Sequence, residues 1–241
     1  MMKNVFVLWQ DSADTRMWYP VAKLTQKSDL EYVFKYTKGS DHKNFTYFPS
    51  MENKLEEYKS DKLFAFFKNR LIPESRPEHD SMFEWSGLSA NSKDYLELLA
   101  ISGGEKKTDH FRIVNVPQKV NDFYRVKFFI SSINYLTSSE KQSLKQVNIG
   151  DELNYQFDNV NTIDADATIL LKDEQIKVGY LPHYLCKDLK NLLNFIDRDK
   201  VKFTVLKVNS NAPVPCRLLY ELTAVWPDSF QPFSDDDFRI L

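Results

Sequence analysis

Cysteine is scarce, with two in 241 residues. Cys186 and Cys216 follow no zinc-ligand spacing and are too few for a disulfide framework, which excludes a stapled secreted scaffold and favours a reducing, cytoplasmic setting. Histidine is almost as rare: His42, His79, His110 and His183 lie far apart, without the His-Glu-x-x-His spacing of a zinc site. No metal and no cofactor is expected. No apolar run approaches membrane-spanning length, and Met1-Met2-Lys3-Asn4 opens a strand without the apolar region of a signal peptide. An excess of one charge is lacking too. Lys and Arg number 32 against 34 Asp and Glu, a net charge of −2. Coating nucleic acid through bulk electrostatics needs clustered cations, so any nucleic-acid binding here must be local. Repeats and low-complexity segments are missing, and the whole chain should fold.

What the chain has is aromatic residues in strand-like runs. Val5-Phe6-Val7-Leu8-Trp9, Trp18-Tyr19-Pro20-Val21-Ala22-Lys23-Leu24 and Tyr32-Val33-Phe34-Lys35-Tyr36 read as an opening meander, with turn chemistry at Asp11-Ser12-Ala13-Asp14. The pattern then changes. Ser60 to Leu71 carries apolar residues at helical spacing behind a capping Ser, and Pro73 and Pro77 stop it. Glu78 to Ser86 before Gly87, and Ser92 to Ile101 before Gly103-Gly104, predict two more helices with glycine stops. Residues from about 52 to 104 are therefore expected to be a helical segment. Gly103-Gly104-Glu105-Lys106-Lys107-Thr108 contains the residue types of a phosphate loop, but the order is helix, glycines, strand, which reads as a helix stop.

Phe111 to Pro117 predicts a strand and Pro117 to Asp122 a linker. Phe123-Tyr124-Arg125-Val126-Lys127-Phe128-Phe129-Ile130 alternates, burying one face and offering Arg125 and Lys127 to solvent. A capped helix over Ser138 to Gln146 follows, then the turn Gly150-Asp151, a strand from Leu153 to Phe157, and two short strand-like runs around Thr168 to Leu170 and Lys177 to Tyr180. Leu185, Leu189, Leu192 and Leu193 share one face of a helix after Pro182, and Val201 to Val208 and Cys216 to Ala224 close the pattern as strands. The last residues, 226–241, mix aromatics with an acidic run and read as a tail.

Two resemblances organise this layout. The opening meander resembles the first subdomain of HipA-type kinases, with Ala22 where that subdomain carries a Gly; no phosphate-gripping loop or metal-binding acids of a kinase body follow in the remaining sequence. Asn161-Thr162-Ile163-Asp164-Ala165-Asp166-Ala167-Thr168-Ile169-Leu170, followed by Lys177-Val178-Gly179-Tyr180-Leu181-Pro182, resembles the HIRAN domain pattern Asn-Pro-Tyr-Asp-x-x-Ala-Ile and Val-Gly-Tyr-hydrophobic-Pro. The expectation is an α+β protein: a β-rich N-terminal unit over 1–117 with its helical segment, a small HIRAN-like β-barrel with short helices over 122–225, and the tail.

The HIRAN resemblance implies a pocket for the free 3′ end of single-stranded DNA. Carried over by position, the family's Arg falls on Asn134, its partner Tyr on Tyr135, the central Tyr on Ile163 and the Asp on Asp164; Tyr135 and Asp164 keep the family's residue types. Arg125, Lys127, Lys172 and Lys177 are cations that could compensate. Tyr180, Pro182 and His183 are placed at the rim, and Gly179 where two backbones meet closely. The nucleic-acid-binding set is thus Tyr135, Asp164, Asn134, Arg125, Lys127, Lys177 and Tyr180. Asp164 also suits an Asx turn and Tyr135 a satisfied core position. No nucleophile elbow or paired catalytic constellation is present, so a non-enzymatic module is expected, free-standing and bacterial, serving DNA repair, mobile-element or phage-defence processes. The alternative is an adaptor or inhibitor acting with a separate kinase, toxin, helicase or nuclease.

Overall fold

The computed structural model describes residues 2–133, 136–162 and 164–241. The chain divides into two compact units, one of residues 1–82, 90–116 and 233–241, the other of residues 83–89 and 117–232.

The first unit is built on a five-stranded sheet of β1 (Lys3–Gln10), β2 (Trp18–Ser28), β3 (Glu31–Tyr36), β4 (Tyr58–Ser60) and β5 (Phe111–Asn115). The strands lie in the order β4-β3-β2-β1-β5, every pair antiparallel. Val5, Phe6, Val7 and Leu8 of β1 are all buried, so this strand is covered on both faces. Val5 and Val7 join Leu24, Phe34 and Ile113 in a core closed by Leu96 and Leu99. Those two leucines belong to α3 (Tyr95–Ser102), which follows α1 (Ala65–Lys68) and α2 (Glu78–Trp85). On the other face Phe6 meets the rings of Phe233 and Phe238 at 5.7 and 4.8 Å. The chain end is tied down by a bridge between Thr37 and Ile240 and by the Leu241 N–H donating to the Tyr36 carbonyl at 3.1 Å. Asp236, from the acidic run, pairs with Lys38 and Arg239.

The helix expected over Ser60 to Leu71 shrinks to the single turn of α1. Ser60 instead pairs with Tyr32 in the β4–β3 ladder. Phe64 and Phe66 turn toward Phe34, Phe48 and Phe111, with ring centroids at 6.0, 4.5 and 5.2 Å, and that aromatic packing overrides the local helical spacing. Asp94 caps α3, accepting from the Glu97 N–H at 3.2 Å, and Gly103 stops it with φ +80°. The carbonyl of Gly104 accepts from Arg70 at 2.9 Å, and the same guanidinium grips Asp109. The glycine run is therefore committed to holding its own loop.

In the second unit the residues expected to be a linker form β6 (Gln118–Val120), hairpinned to β7 (Phe123–Phe129). Asn121 and Asp122 both take positive φ, 50° and 64°, the geometry of a tight hairpin turn that Asn and Asp tolerate. The remaining strands are β8 (Glu152–Phe157), β9 (Thr168–Lys172), β10 (Ile176–Tyr180), β11 (Val201–Val208) and β12 (Leu218–Val225). Cys216 lies in a 3-10 turn just before β12. The sheet runs β10-β9-β8-β11-β12-β7-β6.

The α+β class holds, but the sheet is not the closed barrel expected from sequence. Its hydrogen-bonded order ends at β10 and β6, and closure among the described residues is limited to one bridge, where the Ser131 N–H donates to the Tyr180 carbonyl at 3.0 Å and the Tyr180 N–H to the Ser131 carbonyl at 3.1 Å. Two short helices complete the unit. α4 (Ser138–Ser143) starts with a capping box between Thr137 and Glu140. α5 (His183–Leu192) buries Leu185, Cys186, Asp188, Leu189 and Leu192, and Tyr124 of β7 donates its hydroxyl to Asp188 at 3.3 Å.

Gly179 makes the bridge possible. A Cβ there would sit 2.8 Å from both Ile130 Cγ1 and the Ser131 carbonyl oxygen, and φ is +149°, backbone that side chains disfavour. A bulge between Lys177 and Gly179 adds the local twist that turns β10 toward this approach. Gly179→Ala should destabilise the protein by roughly 2–4 kcal/mol, from overpacking and backbone strain together. A denaturant melt of the variant indistinguishable from wild type would show that the approach is looser than described.

Candidate nucleic-acid interface

The bridge places the end of β10 and the start of α5 against the loop of residues 158–167, which connects β8 to β9. The Leu181 N–H donates to the Thr168 carbonyl at 2.9 Å and the Asp158 N–H to the Ala167 carbonyl at 2.8 Å, fixing both ends of that loop. Inside it, Asn161 Oδ1 accepts from the Asp164 N–H at 3.0 Å, and Asp164 Oδ1 accepts from the Asp166 N–H at 2.9 Å. This is the Asx-turn role anticipated for Asp164. Its second oxygen, Oδ2, lies 2.7 Å from His183 Nδ1 at the first turn of α5.

A parallel pair forms on β10. Tyr180 donates its hydroxyl to Asp158 Oδ2 at 2.7 Å, Lys177 Nζ donates to the same hydroxyl at 3.1 Å, and that ammonium lies 4.4 Å from the ring centroid. The Tyr180 hydroxyl, with help from Asn161, holds the Asp158 carboxyl below the usual carboxylate range. Lys190 of α5 closes the group by donating to Asp166 at 2.6 Å. Acids and bases thus alternate: Asp158, Asp164 and Asp166 against Lys177, His183 and Lys190.

Of the residues named from sequence, Asp164, Lys177 and Tyr180 come together here. Asn134 and Tyr135 lie outside the described residues, as does Ile163. Arg125 is exposed as expected but pairs with Glu221 Oε2 at 3.8 Å, while Lys127 stands opposite Glu221 in the β7–β12 ladder. Arg125 is six residues before Ser131, about 20 Å along an extended strand, so these two cations are not part of the cluster. Lys172 is engaged by Asp151 and the Gln146 carbonyl, each at 2.5 Å. Sequence reasoning did not place Asp158 and Lys190 in the site. Their signal was a run of polar residues at loop spacing, Asp158, Asn161, Asp164 and Asp166, whose partners are recognisable only once β10 and α5 are folded against it. Among the described residues no group of His, Cys, Asp and Glu is arranged to hold a metal ion, and no helix is long and apolar enough to cross a membrane.

Comparison with known families settles the type of module. Residues 123–223 match the family model described as HIRAN domain. This stretch is a HIRAN domain. It contains the whole of the Asp158 to Lys190 cluster. Upstream of the HIRAN domain, residues 17–106 match the family model described as HipA N-terminal domain, so both resemblances read from sequence are upheld. No curated protein matches the chain. A crystal structure of a protein from Lactobacillus plantarum is similar at 16% identity, over 42% of this chain and 96% of its own, but its TM-score of 0.33 is too low to inform fold or function.

Because the Asp158 pKa is depressed in the fold, its contribution to stability is present above the unfolded carboxylate value of about 3.9 and is lost as pH falls through the depressed value. Removing the donor with Tyr180→Phe should raise the Asp158 pKa toward the ordinary value, read by carboxyl carbon NMR titration. An unmoved titration would mean that the phenol does not set the charge of this acid.

Proposed function

We propose that the HIRAN domain of this chain recognises single-stranded DNA, including free 3′ ends, at the corner formed by Tyr180, Lys177, Asp164 and His183. The HIRAN domain is a nucleic-acid-binding family, which supports the class of ligand; the DNA end and the residues named here are our reading. The observation that carries it is the fixed, half-exposed Tyr180 ring, anchored by Asp158 and accompanied by the Lys177 ammonium. A ring so held offers a base a stacking partner without loss of rotamer freedom, while a neighbouring cation meets phosphate. The acids matter as much. A carboxylate repels phosphate and accepts from a hydroxyl, so the Asp164 side of the cluster suits a terminal sugar hydroxyl and the lysine side the last internal phosphate.

On this reading the protein is a non-enzymatic, cytoplasmic recognition module that works beside a separate DNA-processing partner, in repair or phage defence. The test is fluorescence anisotropy with a short single-stranded oligonucleotide at about 50 mM salt, where phosphate contacts contribute most. The 3′-hydroxyl form should bind and the 3′-phosphate form more weakly. Tyr180→Ala should lose stacking of about 1–3 kcal/mol, a weakening of roughly 5- to 150-fold. Absence of binding by wild type to either oligonucleotide would remove the proposal.

A further inference from the structure

On the face of the first unit's sheet that carries Phe6, one row of residues runs straight across the strands. Val114 of β5 stands opposite Phe6 of β1, Phe6 opposite Lys23 of β2, and Lys23 opposite Lys35 of β3. Lys35 Nζ continues the row to Glu57, the residue before β4, meeting Oε2 at 2.5 Å, and the other oxygen of Glu57 takes Lys59 at 3.0 Å. Glu31, at the start of β3, is paired with Lys27 at 3.1 Å. The acids beside the row are thus committed to other lysines.

Lys23 is left without one. It is half-buried, its ammonium lies 5.7 Å from the centroid of the buried Phe6 ring, and among the described residues it has no ion-pair or hydrogen-bond partner. A ring face attracts a cation only weakly, and two like charges set opposite each other in an antiparallel ladder are unfavourable. Removal from water disfavours the charged form of an amine, and burial accordingly pushes the Lys23 ammonium below its ordinary value. Lys43 and Lys54 are the reverse case: the carboxylates of Asp14 and Asp41 bond them and hold their protons on. The nucleophile is the neutral amine, so the row favours reaction at Lys23 over these two.

We propose that Lys23, placed between the Phe6 ring and Lys35 with no acid to hold it, is an acylation site that takes the acyl group of a small acyl phosphate. The neutral Nζ attacks the carbonyl carbon, a C–N bond forms, the C–O bond to phosphate breaks, and phosphate leaves with the electron pair and takes up the amine proton by way of water. The product is a neutral amide, so the charge facing Lys35 is removed. A small donor suits a half-buried amine beside an aromatic ring. The inference does not rest on the DNA reading.

The test treats the full-length protein with acetyl phosphate near neutral pH and reads initial acetylation rates site by site by peptide mass spectrometry. In the folded protein Lys23 should react several-fold faster than Lys43 and Lys54, and in guanidinium chloride the three should react alike. Lys35→Glu puts a carboxylate directly opposite Lys23 and should slow it to the rate of Lys43, with circular dichroism confirming that the variant is folded. If Lys23 of the folded wild type reacts no faster than Lys43, the proposal is overturned. An advantage that persists in guanidinium chloride also overturns it, because the cause would then be local sequence and not the folded row. So does a folded Lys35→Glu variant in which Lys23 reacts as fast as before, and if that variant does not fold, the wild-type comparison with and without denaturant decides alone.

Discussion

The close approach of Gly179 to Ile130 and Ser131 governs the second unit. Two backbone hydrogen bonds between Ser131 and Tyr180 join the end of β7 to the end of β10, strands that the sheet order otherwise separates by four others. A side chain at position 179 would collide with both Ile130 and the Ser131 carbonyl, so only glycine lets the two backbones meet. Everything downstream follows from that meeting. Tyr180 is turned toward Asp158, Leu181 is tied to Thr168, and α5 begins where His183 reaches Asp164. One residue without a side chain thereby positions several residues of the candidate interface.

The cluster so assembled sets three acids against two lysines and a histidine, in keeping with the near-neutral chain. Each base is held by an acid on a different element: Lys190 of α5 by Asp166, His183 by Asp164, and Lys177 with Tyr180 by Asp158. Such an arrangement gives little long-range attraction for a polyanion but fixes the direction of each side chain.

The strands of both units were legible because alternation and β-branched or aromatic content survive burial: β1, β3, β7 and β11 lie where the sequence put them, give or take a residue. Gly103 and Gly179 were legible too, each by a distinct physical need, a left-handed helix stop and a close backbone approach. The helix expected over Ser60 to Leu71 was not, because Phe64 and Phe66 find ring partners on distant strands, Phe34 of β3 and Phe111 of β5. The short ladder between β8 and β11 could not be read either, since a ladder that stops after two pairs leaves no mark on the alternation of β8 or β11. Asp164 was found through the family pattern. Its partner His183, nineteen positions away, was placed only at a rim, because which oxygen of Asp164 it meets depends on the turn of β10.

The account stands on the Ser131–Tyr180 bridge being a lasting feature of the folded domain. Amide hydrogen exchange of the intact protein, read residue by residue, tests this directly. The amides of Ser131 and Tyr180 should exchange as slowly as those of the β9–β10 ladder beside them. Exchange of both at the rate of an open loop, with the ladder still protected, would contradict it and would leave the candidate interface without its frame.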